Sequence, residues 1–227
     1  MTTKKRQTAS SAATLNVAKK RTLAATVSLA DRAAQGVLVP GGFVSTAAHC
    51  VEWSTTGGMV LGDHCLENVR TKTGEGFRLS VYAVEPVADI AILGPPDYQE
   101  FSDDADAFEA FCEATSPVPV SAADFPFKVP VRVLLLTHHG TWIEGTATRY
   151  GLRDALPGAC LALKTEADIE GGSSGGPIID RAGQLVGITS HGTRTGGMPS
   201  PHLALPGWIW RRIDAAQRPR KRARGRP

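Results

Sequence analysis

The order in which this chain sets out a histidine, an aspartate and a serine constrains its fold more than any other feature of its 227 residues. His49 lies in Thr46-Ala47-Ala48-His49-Cys50, Asp89 in the apolar run Val87-Ala88-Asp89-Ile90-Ala91-Ile92-Leu93, and two serines in Gly171-Gly172-Ser173-Ser174-Gly175-Gly176-Pro177. A serine hydroxyl at its ordinary, very high pKa is a poor nucleophile. Acyl transfer therefore needs a neighbouring base, a third group to orient that base, and donors for the developing oxyanion. A carboxylate inside an apolar run is costly to bury unless it is hydrogen-bonded, and an imidazole N–H is a partner that offsets the cost. Taken singly, each segment has a plainer reading: a glycine-rich loop, a structural histidine, the start of a strand. Their joint occurrence in one order is what gives them meaning.

The three segments resemble the histidine, aspartate and serine blocks of chymotrypsin-fold, trypsin-like serine peptidases. The order excludes the other architectures that carry the same three residues, Asp-His-Ser in subtilisins and Ser-Asp-His in α/β-hydrolases. By the family pattern Gly-x-Ser-Gly-Gly-Pro, the resemblance implies a triad of His49, Asp89 and Ser174, with Ser173 as the variable residue. Glycine suits this turn because a Cβ would obstruct both its backbone angles and the approach of substrate. The resemblance also implies that the backbone N–H groups of Gly172 and Ser174 form the oxyanion hole. Loss of one such donor costs about two to three powers of ten in turnover. Ser173 departs from the animal digestive enzymes, whose aspartate there receives a freed N-terminus, and no Ile-Val-Gly-Gly segment precedes the histidine block. Activation by N-terminal cleavage is therefore not expected. Residues Thr165–Ile178 and Gly183–Ser190 are closer to bacterial HtrA-type peptidases, and the resemblance runs from about Ala34 to Ile188 with no PDZ-like Gly-Leu-Gly segment after it.

Short runs rich in Val, Ile, Leu and Thr, punctuated by Gly, Pro and Asp, recur at Thr22–Leu29, Gly36–Val39, Phe77–Val84, Val131–Leu136, Thr141–Arg149, Cys160–Lys164, Pro177–Ile179 and Gln184–Thr189. They predict an all-β sandwich or barrel. The resemblance implies two packed six-stranded antiparallel β-barrels, chymotrypsin-like, with the active site in the cleft between them. The expected division is a basic disordered arm (1–21), an N-terminal barrel (22–94), an acidic interdomain linker (95–119), a C-terminal barrel (120–210) and a basic tail (211–227). Within the linker, Asp97–Glu113 holds seven acidic residues and no base. Phe101, Ala105, Phe108 and Cys112 fall there at near-helical spacing, which predicts a short amphipathic helix against the barrels.

Substrate recognition has two readings. In trypsin-like members an acid six residues before the nucleophile lies at the base of the specificity pocket and selects Arg or Lys, and Asp168 stands at that position, followed by Ile169. A carboxylate in a pocket favours a cationic side chain through a charge-assisted hydrogen bond. HtrA-type pockets instead take small apolar residues, with Asp168 facing solvent beside Glu166 and Glu170. Ser190, His191 and Gly192 resemble the segment that pairs with substrate backbone, where an extended peptide adds as a strand. His191 stands either for an aromatic that walls the cleft or for a group that recognises a polar side chain. His138-His139 reads as a turn, and His64-Cys65 lacks partners at zinc spacing. No metal and no cofactor are expected.

Cys50, Cys65, Cys112 and Cys160 lack framework spacing, and no cysteine precedes Cys50 to form the bridge usual in secreted relatives. A Cys50–Cys65 pair stays open. Residues 1–22 are polar and Lys-rich, without a signal peptide or a membrane-spanning run. A reducing, cytoplasmic setting in a bacterium is expected. The formal charge of +3 hides an asymmetry: six bases in Met1–Arg21 and six in Arg218–Pro227, with no acid in either, leave 13 bases against 22 acids in the body. Such tails favour solubility, an embrace of the acidic body, or nonspecific, salt-sensitive contact with nucleic acid or another anionic partner. Two functions follow: a serine endopeptidase acting on protein or peptide substrates, and a noncatalytic module of the same fold tethered by its tails. Oligomeric state is not legible.

Overall fold

The computed structural model describes residues 3–51, 53–54, 60–61, 65–86, 88–121, 129–150, 160–193, 196–201 and 207–217. Two closed six-stranded antiparallel barrels form its body. The first is built from β1 (Thr26–Leu29), β2 (Ala34–Val39), β3 (Phe43–Thr46), β6 (Cys65–Arg70), β7 (Gly76–Glu85) and β8 (Ile90–Gly94), in the order β1-β2-β3-β8-β7-β6. A two-stranded ribbon, β4 (Trp53–Ser54) with β5 (Val60–Leu61), interrupts it in sequence. The second comprises β9 (Val131–Leu136), β10 (Trp142–Tyr150), β11 (Cys160–Thr165), β12 (Pro177–Asp180), β13 (Leu185–Thr193) and β14 (Gly196–Pro201), in the order β10-β11-β14-β13-β12-β9.

Side-chain alternation explains how the barrels dock. In the second barrel Val133, Leu135 and Ile178 point into its own core, together with Ile143, Ala147, Leu163 and Val186. Their neighbours Leu134, Ile179 and Leu185 point the other way and join the core of the first barrel. A period of two thus gives each strand an inner face and a seam face. On the other side of the seam, β2, β3 and β8 are buried along their whole length. That is why they show no strict alternation of apolar and polar residues.

The linker does contain a helix, α2 (Ser102–Ala114). Its buried residues are Ala105, Phe108 and Phe111, so the apolar stripe is rotated from the expected one: Phe101 caps the helix and Cys112 is only half-buried. Phe77, Phe108 and Phe111 make an aromatic cluster with centroids 5.4 to 6.4 Å apart. Asp104 in the first turn accepts the Arg78 backbone N–H at 2.8 Å, where the helix dipole also favours an acid. Past α2 the chain straddles the seam. Val118 N–H donates to Leu38 in the first barrel, and Ser121 N–H to Leu185 in the second.

Two terminal segments differ from expectation. Thr3–Ala24 forms α1, where an arm without structure was expected. Its C-terminal half is held by the second barrel: Ala18 is buried, Arg21 donates to the Gly183 carbonyl at 2.7 Å, and Lys19 lies over the Trp142 ring. Gly183 has φ +76, and a Cβ there would come within 2.3 Å of Ala18, so the turn admits the helix only as glycine. The last helix, α3 (Gly207–Gln217), extends into the expected tail and buries Ile209 and Ile213. Residues 218–227 lie outside the described residues.

Candidate active site

His49 is placed by the end of β3. After Thr46 the chain enters a 3₁₀ turn, Ala48–Cys50, closed by hydrogen bonds from Cys50 N–H to Ala47 and from Val51 N–H to Ala48. Ala47, Ala48, Cys50 and Val51 are all buried, leaving His49 as the exposed side chain of the turn. Because β3 pairs with β8 at Thr46↔Ala91, the residues flanking that pair, His49 and Asp89, meet at one barrel end. Asp89 sits at φ +53, a left-handed conformation that Asp and Asn tolerate better than other side chains. Its Oδ1 accepts the His49 backbone N–H and its Oδ2 the His49 Nδ1–H, each at 2.8 Å. Ser190 Oγ donates to the same Oδ2.

The electrostatics follow from these bonds. Burial works to raise the Asp89 pKa, but the bonds from His49 and Ser190, the His49 backbone N–H and the imidazolium charge outweigh it and hold the carboxyl below its ordinary value. For His49, the bond to Asp89 is the largest influence, followed by Cys50; against the opposing effect of burial they push the imidazole from 6.5 to about 10.

The serine loop is fastened to both barrels. Ser174 C=O accepts the Gln35 N–H of β2 at 2.8 Å, and the Gln35 carbonyl in turn accepts Thr46 Oγ1–H at 2.7 Å. On the other side, Gly175 N–H donates to Thr189 at 2.7 Å and Thr189 N–H to Gly176 at 2.8 Å. Thr189 directly precedes Ser190, so one strand grips the serine loop with its backbone and Asp89 with the next side chain. Gly175 has φ +75, and a Cβ on it would lie 1.9 Å from the Gln35 carbonyl oxygen. No other residue fits the seam there.

Ser173 and Ser174 are separated by orientation. Ser173 is 1% exposed, and its Oγ accepts the His138 N–H at 3.4 Å, whereas Ser174 is half-buried at the surface of the loop. Ser173 N–H is bonded to Glu170, Gly175 N–H to Thr189 and Gly176 N–H to Ser173. Among the described residues, the N–H groups of Gly172 and Ser174 engage in none of these loop bonds. Two such N–H groups on one loop are the kind of donor pair that stabilises an oxyanion.

The other expected site residues fall as follows. Asp168 is exposed, since residues 166–168 run along the surface after β11, while Ile169 turns inward against the second-barrel core. Ser190, expected to pair with substrate backbone, has its hydroxyl on Asp89; its position after a core strand is readable in sequence, the bond is not. His191 and Gly192 lie in β13 opposite Met198 and Gly197, and the His191 side chain lies outside the described residues. The expected turn at His138-His139 is present, closed by Gly140 N–H to Thr137, but it also faces Glu170: His139 Nε2 lies 3.2 Å from Glu170 Oε2. Cys50, Cys65 and Cys112 are free thiols, so the open Cys50–Cys65 pairing does not occur; Cys65 Sγ instead lies 3.2 Å from Ser80 Oγ.

Comparison with known proteins places this geometry. Residues 34–188 match the family described as a trypsin-like peptidase domain. Among solved structures, the chain is similar to the Rv3671c protein of M. tuberculosis in an inactive serine-to-alanine form, with 20% identity, a TM-score of 0.54, and coverage of 89% of this chain and 92% of that one. The active form of the Rv3671c protease gives a TM-score of 0.51 at 21% identity, covering 87% of this chain and 83% of that one. A serine endoprotease from Yersinia pestis gives 0.57 at 21% identity, covering 88% of this chain and 66% of that one. At such identities the likeness establishes the two-barrel fold. No curated protein matches the chain.

Proposed function

The chain belongs to the trypsin-like peptidase domain family and is a serine endopeptidase acting on protein or peptide substrates, and from that premise we propose that His49, Asp89 and Ser174 carry the reaction. The alternative of a noncatalytic binding module has no support. His49 takes the Ser174 proton as Oγ attacks the scissile carbonyl and gives it to the leaving amine. Asp89 holds the imidazole with Nδ1–H toward itself, leaving Nε2 as the base, and stabilises the imidazolium that forms. Gly172 and Ser174 N–H receive the oxyanion, and water then hydrolyses the acyl-enzyme by the same steps in reverse. The observation that carries this assignment is the inward bond of Ser173, which leaves Ser174 as the serine on the open side of the loop. Fluorophosphonate labelling tests it: the wild-type protein labels, Ser174→Ala does not, and Ser173→Ala still does. Labelling of Ser174→Ala at the wild-type rate would overturn the assignment.

Two finer points belong to the same reading. An exposed carboxylate at Asp168 is screened by water and confers little selectivity for cations, so small apolar side chains are the preferred residues before the cleaved bond. Ester substrates of Arg, Val and Glu separate the possibilities, and a loss of Arg turnover of tenfold or more in Asp168→Ser would restore the basic pocket. Three free thiols favour a reducing compartment, the bacterial cytoplasm. The basic ends are proposed to contact nucleic acid or another anionic partner without sequence preference, with an affinity that falls steeply with salt. Arg21 is engaged with the fold, which leaves the outer bases for that contact.

A further inference from the structure

We propose that His138, His139 and Glu170 form a transition-metal site, suited to Zn²⁺, that clamps the serine loop. Their ligand atoms all lie within 4.8 Å of one another, and the His139–Glu170 pair is already at 3.2 Å. Two imidazole nitrogens and a carboxylate oxygen are a donor set that zinc accepts, with bonds of about 2.0–2.2 Å and a fourth position for water. His139 and Glu170 are both exposed, which leaves their side chains room to rotate toward a cation. A second observation points to a missing partner. Nδ1 of His138 is buried and, among the described residues, has no hydrogen-bond partner. Buried polar atoms are rarely left so, and a cation beside the ring would let ligation or a second-shell bond satisfy it.

The location gives the site its consequence. Glu170 C=O accepts the Ser173 N–H at 3.3 Å, His138 N–H donates to Ser173 Oγ at 3.4 Å, and the His138 ring lies 3.3 Å from where a Cβ on Gly172 would stand. A cation joining the 138–139 turn to Glu170 therefore ties β9 to the loop that presents Gly172 and Ser174. The conformation that gathers the three ligands is the one in which those two N–H groups are free of loop bonds. Metal binding favours that conformation and with it the formed oxyanion hole. This coupling rests on the peptidase reading; the binding itself does not.

Co²⁺ and Zn²⁺ added to the full chain test both parts. Visible d–d absorption of Co²⁺, displaced by Zn²⁺, reports the site directly. Loss of a single outer-shell partner weakens metal sites about 10- to 100-fold, so His139→Ala and Glu170→Gln should each weaken binding by at least about tenfold. The fluorophosphonate labelling rate of the wild-type protein should rise with Zn²⁺ and fall with a chelator, and that response should vanish in both variants. Absence of binding, or equal affinity in the variants, overturns the site. Binding that disappears in the variants while the wild-type labelling rate ignores Zn²⁺ upholds the site and overturns the clamp.

Discussion

Replacing Asp89 by Asn tests the site most severely, because the structure dictates how the amide must sit. Asp89 faces three donors: the His49 backbone N–H at Oδ1, and the His49 ring and Ser190 Oγ at Oδ2. The backbone N–H cannot change its character, so the amide oxygen of the substituted side chain takes the Oδ1 place and its NH₂ faces the ring. The imidazole then accepts at Nδ1 and carries its proton on Nε2, where it can no longer receive one from Ser174. Asn tolerates the φ of +53 as well as Asp does, so the fold survives. The expected loss of acylation is about 10⁴-fold. The charge effect can be bounded as well. The full change from 6.5 to about 10 at His49 would correspond to about 4.8 kcal/mol at 1.36 per unit. The ring is 42% exposed, and screening at that exposure brings the contribution toward the roughly 1 kcal/mol of exposed pairs. The rising limb of the wild-type profile therefore lies above 6.5, and in Asp89→Asn it returns toward 6.5. Fluorophosphonate labelling from about pH 5 to about pH 10 reads rate and limb together, with circular dichroism to verify the fold. A folded Asp89→Asn protein labelling within tenfold of wild type would refute the tautomer argument, and an unmoved limb would refute the electrostatic one.

Three further outcomes follow from the same geometry. Ser190→Ala removes one donor from Asp89 and should slow kcat about tenfold with KM unchanged; a change in KM with kcat intact would contradict that role. Gly175→Ala drives a Cβ against the Gln35 carbonyl at 1.9 Å and should destabilise the fold by more than about 4 kcal/mol in urea unfolding, a loss under about 1 kcal/mol being incompatible with the seam described. The Asp89–His49 pair also makes stability depend on pH in a set direction. The lowered Asp89 contributes above its unfolded value of 3.8 and is lost as pH falls through its folded one, whereas the raised His49 contributes fully below 6.5 and is lost as pH rises toward about 10. The urea-midpoint difference between wild type and Asp89→Asn should therefore be widest between those limits and shrink on both sides; a difference constant with pH would contradict the linkage.

Strands with uniform local character are legible in the chain, and those shaped by their surroundings are not. Val131–Leu136 reads as a strand and is one end to end, because a short Val- and Leu-rich run after Pro130 needs little context. β6 escapes a reading by pattern since a register shift between Leu66 and Val69 breaks its alternation. β14, Gly-Gly-Met-Pro-Ser-Pro, has almost no strand propensity and exists because β11 and β13 offer it free edges. In α1 the polar pattern suggests an arm, and what holds its inner half is the Gly183 turn from 162 residues away in sequence. The exposure of Asp168 depends on how the loop after β11 lies on the barrel, which its spacing from Ser174 does not encode.

The residues of the chemistry and the order in which a fold must gather them are written in the chain, because nucleophile, base and orienting carboxylate are set by functional group and by local turn. Which serine faces out, which hydroxyl completes the carboxylate, whether Asp168 is dry, and that two histidines in a turn meet Glu170 were decided by the tertiary structure. Each of these is a contact across two elements distant in sequence, and a single chain read in one dimension carries the propensity of a residue but not its neighbours in space.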